Sequence, residues 1–170
     1  DVRAVVEYAL NPPTLSGIES EPLALGCAGW GGGGDVCLTV SESLSITGSP
    51  NLLNLITLAT ATMEGDWGGA GATLSYNQTV FPLASTGIQV QLNAQGTVLT
   101  LYGNGSVAEY QSAVRAVQLC VVDGYFVPGG GGGYALVSFQ VTGSVGGEVS
   151  NEVFRSLDLS EKDVFGAELV

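Results

Sequence analysis

Apolar side chains recur at every second position along most of this chain, the signature of strands with one buried face. Val2, Ala4, Val6, Tyr8 and Leu10 share one side of a first segment. Asn11-Pro12-Pro13 ends it, because proline has no amide to give to a ladder. Residues 14–35 read as a loop that closes in the run Gly31 to Gly34. Leu38, Val40, Leu44 and Ile46 mark a strand region over 36–46, stopped by the turn Thr47-Gly48-Ser49-Pro50. Residues 55–63 are rich in threonine and branched side chains, and 72–80 form a short strand pattern after a glycine-rich turn at 66–71. Ile88, Val90 and Leu92 alternate before Asn93-Ala94-Gln95-Gly96, and Thr97, Leu99 and Leu101 alternate after it, which predicts a hairpin. Residues 119–122 predict a further strand, as do Ala135, Val137, Phe139 and Val141, and then Val153, Arg155 and Leu157.

One segment departs from period two. In Ser106-Val107-Ala108-Glu109 the serine can accept from the amide three residues on while the glutamate reaches back, a capping box. Val107, Tyr110, Val114 and Val117 then follow at helical spacing, so one short amphipathic helix is predicted over 106–117. Strands dominate and only one helix has a start signal. The pattern therefore predicts an all-β, two-layer antiparallel, immunoglobulin-like sandwich. The expected organisation is an N-terminal strand and linker (1–11), the sandwich (12–160) and a C-terminal tail or linker (161–170).

Composition narrows what such a fold can do. A chain of 170 residues fits one domain and can bury about 70% of its unfolded surface. Charged residues are only 12%, against about 25% in an average domain, while the apolar fraction of 45% is ordinary. The net charge of −12 argues against nucleic acid and disfavours an anionic membrane surface as partners, since both are gripped by clustered Lys and Arg. No apolar run approaches the roughly 18 residues of a membrane-spanning helix, so no membrane insertion is expected. The opening Asp1-Val2-Arg3, without Met, predicts a processed or excerpted chain.

The chain has no histidine, so neither a Ser-His-Asp nor a Cys-His unit can be assembled, and no enzyme activity is expected. Glu64 and Asp66 read as a solvated rim, and Gly129 to Gly133 lack the Gly-Lys-Ser/Thr of a phosphate loop. The acids Asp35, Glu42, Glu64, Asp66, Asp123, Asp158, Glu161 and Asp163 are scattered, so no cofactor is expected beyond weak calcium at an end. Cys27 and Cys37 flank a short glycine-rich loop and are expected to pair. Cys120 then reads as a buried thiol or a bridge to a neighbour. Asn77-Gln78-Thr79 and Asn104-Gly105-Ser106 are glycosylation sequons, with Asn104 expected in a protruding turn. Trp30 and Trp67 sit in glycine-rich turns, where an indole can anchor an interface, stack on sugars, or cap the core. Sparse charge, cysteines and sequons together point to an extracellular or cell-surface setting.

The stretch Gly87-Ile88 through Leu101-Tyr102-Gly103, with Ser106-Val107-Ala108-Glu109-Tyr110-Gln111-Ser112-Ala113-Val114-Arg115-Ala116-Val117 after it, resembles the cadherin-like tandem repeats of large surface adhesins. In those repeats a Leu-Thr-Leu-x-Gly strand runs into a short helix with the pattern Ser-x-x-x-Tyr-Gln-x-Ala-Leu-Arg-x-Val. Val137-Ser138-Phe139-Gln140-Val141 with Ser150-Asn151 resembles their closing hairpin, and Asn11-Pro12-Pro13-Thr14-Leu15-Ser16-Gly17 the join between repeats. The resemblance implies a calcium-stiffened sandwich in an extended surface array. This chain departs from it at the metal-binding turns, which are Thr47-Gly48-Ser49 and Thr142-Gly143 here.

One strand is then surplus. Residues 2–10 look like the closing strand of a repeat, yet 153–159 already supply one. An apolar strand with an unpaired backbone invites pairing with another chain, so Val2, Val6, Tyr8 and Leu10 are expected at an interface with a neighbouring subunit; the alternative is that residues 2–10 fold back as an edge strand of their own sandwich. The leading expectation is a structural subunit of an extracellular filament, stalk or surface layer, assembled head to tail from copies of itself. The alternative is an adhesion module whose loops grip a carbohydrate or protein receptor.

Overall fold

The threonine-rich and β-branched stretches do form strands, and their alternation sets which face each one buries. In the computed structural model the described residues are 12–24, 36–48, 55–65, 72–121, 135–144 and 147–158. In chain order they form β1 (Thr14–Ser16), β2 (Leu23–Ala24), β3 (Val36–Thr39), β4 (Ser45–Thr47), β5 (Leu55–Gly65), β6 (Ala72–Tyr76), β7 (Gln89–Leu92) and β8 (Val98–Ser106). The helix α1 (Val107–Val114) follows, then β9 (Val117–Val121), β10 (Ala135–Gly143) and β11 (Val153–Asp158). The protein is all-β in class, with this one short helix among the described residues.

Three sheets result: β2-β11-β10-β5-β8-β7, β3-β9-β6, and the ribbon β1-β4. Every pairing is antiparallel except that of β2 with β11. Each of the two larger sheets buries one face. Ala59, Ala61, Leu99, Leu101, Val137, Phe139 and Val141 from the first, and Leu74, Val117, Leu119 and Val121 from the second, belong to one continuous core.

The hairpin predicted around 93–96 joins β7 to β8. Asn93 holds it: its side-chain oxygen accepts from the Thr97 and Val98 amides at 2.8 and 3.0 Å. Its backbone carbonyl accepts from Gly96, which sits at φ +73°, the left-handed conformation such a turn needs.

The capping box forms as expected. Ser106 accepts from the Glu109 amide at 3.0 Å and Glu109 accepts from the Ser106 amide at 2.9 Å. The helix is shorter than predicted, ending at Val114 with Arg115 as its C-cap, and Val117 opens β9 instead. Its polar side chains act as anchors to backbone. Gln111 accepts from the Ile46 amide at 3.0 Å, and Arg115 donates to the Leu44 carbonyl at 2.8 Å. The fully buried Tyr110 donates its hydroxyl to the Gly103 carbonyl. Burial raises the Tyr110 hydroxyl well above its ordinary range, so it remains a donor, and its contribution is lost only in strong alkali.

In the ribbon β1-β4, β1 lies within residues 14–35, where a loop was expected, and β4 at the end of the expected strand region 36–46. The ribbon is too short to stand alone. Gln111 holds its β4 side, and on the β1 side Asn151 accepts from the Leu15 amide at 2.8 Å and donates to the Leu15 carbonyl at 3.0 Å. One amide side chain therefore takes the place of a neighbouring strand.

Candidate assembly edge and surface sites

The cysteine pairing expected from loop length is corrected. Cys37 is bonded to Cys120, 83 residues away, and so cannot pair with Cys27, which lies outside the described residues. The reason is register. The Val40 amide donates to the Val117 carbonyl, so positions 36, 38 and 40 of β3 bond to β9, and Cys37 faces Cys120 at a non-hydrogen-bonded position. Side chains approach most closely there, and the two Cα atoms are 4.0 Å apart. Cys120 is thus neither a thiol nor a link to a neighbour.

A second cluster, centred on Glu19, was not anticipated. Glu19 accepts from the Ser41 hydroxyl and, at 2.9 Å, from the Glu42 amide. Arg155 of β11 lies 3.4 Å from the same carboxylate and donates to the Val40 carbonyl at 2.8 Å and the Glu21 carbonyl at 3.1 Å. Ser41 in turn accepts from the Leu44 amide, turning the chain between β3 and β4. Arg115 and Arg155 thus converge on the 40–45 turn from two sides. Burial pulls the Glu19 carboxyl upward, but bonds from Ser41, Glu42, its own amide and Ser43 outweigh it and bring the group down to about 2.

A carboxylate lowered in the folded state stabilises it above its unfolded value, and that contribution disappears as pH falls towards the folded value. Denaturant unfolding is therefore expected to show stability falling by about 1–2 kcal/mol between pH 6 and pH 2.5, discounted for partial solvation. Glu19→Gln should remove most of this dependence while costing a similar amount at neutral pH.

Asn104 is exposed, but within β8 and not in a turn; its backbone lies against Gly87. Asn77 follows β6, is half-buried, and accepts the Thr79 amide at 2.9 Å. Trp30 and Trp67, on which a sugar-binding reading depends, lie outside the described residues, as do Val2, Val6, Tyr8 and Leu10. Among the described residues no cluster of three or more metal-ligating side chains occurs, and every buried side-chain nitrogen or oxygen has a partner.

What the described surface does offer is an open strand edge. Among the described residues no strand lies beyond β7 in the six-stranded sheet. The Asn93 amide donates to the Val98 carbonyl at 3.0 Å, so positions 89, 91 and 93 bond to β8. The peptide groups of Val90 and Leu92 point off the sheet. Ile88, Val90 and Leu92 share the core-facing side of the strand. Ile88 is 2% exposed, whereas Leu92 is 42% exposed. Cover on that row thus runs out towards the end of β7. Beside it lies an open groove of about 530 Å³, lined by Leu83, Ala84, Thr86, Ile88 and Val90 among others. The alternation in the sequence marks the strand but not that it is an edge, since that depends on which strands pair across the sheet.

No protein-family model matches the chain, and no curated protein matches it. The resemblance to cadherin-like repeats therefore rests on the residues that carry it.

Proposed function

We propose that this chain is an extracellular structural module, an immunoglobulin-like sandwich of cadherin-like type, that assembles head to tail by strand addition. The observation that carries the reading is the β7 edge, left open among the described residues, with apolar Leu92 exposed on its core-facing row, in a chain whose residues 2–10 have the alternation of a strand. Two further observations support it. A disulfide between Cys37 and Cys120 suits an oxidising compartment. The polar residues of the helix motif, Tyr110, Gln111 and Arg115, are all occupied in holding backbone, which suits a scaffold. A head-to-tail contact does not close on itself and so propagates into a fibre.

Deleting residues 1–10 tests this. The truncated chain is expected to keep its cooperative melting but to lose assembly, read as the disappearance of species larger than a monomer in sedimentation velocity. Undiminished assembly, or outright unfolding, would contradict the proposal.

A further inference from the structure

The acceptor for the donated strand can be placed. Resting on the assembly reading above, we infer that residues 2–10 of a second copy add to the outer edge of β7, their apolar row seated in the groove beside it.

Three observations converge on this edge. The first is backbone: the amide and carbonyl groups of Val90 and Leu92 are directed away from β8, so an incoming strand finds two residues' worth of ladder partners already aligned. The second is the side-chain row. In a ladder, side chains of paired residues share a face, so a strand bonded to Val90 and Leu92 extends the row that Ile88 begins in the core. The donor's Val2, Ala4, Val6, Tyr8 and Leu10 supply such a row, and would cover Leu92 and fill the groove along Leu83 and Val90. The third is charge. The groove is lined by apolar, hydroxyl and amide side chains only, in a chain of net charge −12. A neutral row is the matching occupant, whereas a basic partner would find no carboxylate there. The length also fits. β7 has four residues, so four or five donor residues cover it, and the rest of 2–10 bridges to the donor's own Pro12.

Leu92→Pro in the full chain tests the placement. Proline removes the amide that faces away from the sheet and leaves the β7–β8 ladder intact, a position where edge strands tolerate it. Its melting should match wild type, and its apparent association constant should fall at least tenfold, well beyond the effect of Leu92→Ala. Independently of that variant's folding, a synthetic peptide of residues 1–11 added in excess to the wild-type chain should block assembly and protect the Val90 and Leu92 amides from hydrogen exchange. If residues 1–10 are needed for assembly but Leu92→Pro assembles as wild type and the Val90 and Leu92 amides gain no protection, the acceptor lies elsewhere and this inference fails alone. If chains lacking residues 1–10 assemble normally, the donor reading fails and takes this inference with it.

Discussion

Replacing Cys37 and Cys120 together by serine is expected to lower unfolding free energy by about 3–5 kcal/mol, because their bond closes a loop of 83 residues in the unfolded chain. For a domain of this size that is roughly 10 °C of melting temperature. The residual fold should keep its strands, since β3, β9 and β6 remain paired through their backbones and share the core with the larger sheet. Equilibrium denaturation with and without reductant measures the effect, and peptide mapping under non-reducing conditions identifies the partners. Recovery of a Cys27-containing disulfide peptide would overturn the assignment.

Gly103→Ala should be almost as costly, about 2–5 kcal/mol, from two causes that add. Gly103 sits at φ +111°, where a side chain is strained. A Cβ there would also stand 2.1 Å from the Gly87 carbonyl oxygen, which is backbone and cannot swing aside. Gly103 further provides the carbonyl to which the buried Tyr110 donates, so displacing it disturbs the seat of α1. The same denaturation measurement applies, and a variant within about 1 kcal/mol of wild type would contradict this description of the β7–β8 crossing.

What the sequence made legible was local. The hairpin at 93–96 and the capping box at 106–109 were readable because the side-chain hydrogen bonds that set them, between Asn93 and the Thr97 and Val98 amides and between Ser106 and Glu109, join residues within five of one another. The pairing of Cys37 was not, because its partner is chosen by the register of β3 on β9, strands that no local pattern brings together. The single strand expected over 36–46 is two, β3 and β4, broken where Ser41 turns back to the Leu44 amide. The interruption of the apolar row by Glu42, between Val40 and Leu44, was the available signal. β1 was missed because three residues do not show alternation and its neighbour on one side is the Asn151 side chain, 136 residues distant. Of the proposed contact the sequence shows only the alternating apolar pattern of residues 2–10; that β7 is an edge among the described residues depends on the order of the six strands of its sheet.

The most direct measurement is amide hydrogen exchange of residues 2–10 as a function of protein concentration. Strand donation between copies predicts little protection at high dilution and protection that rises with concentration, in step with the growth of larger species. Protection that is already complete at high dilution and does not change with concentration would show the segment pairing within its own module, and would contradict assembly by strand addition.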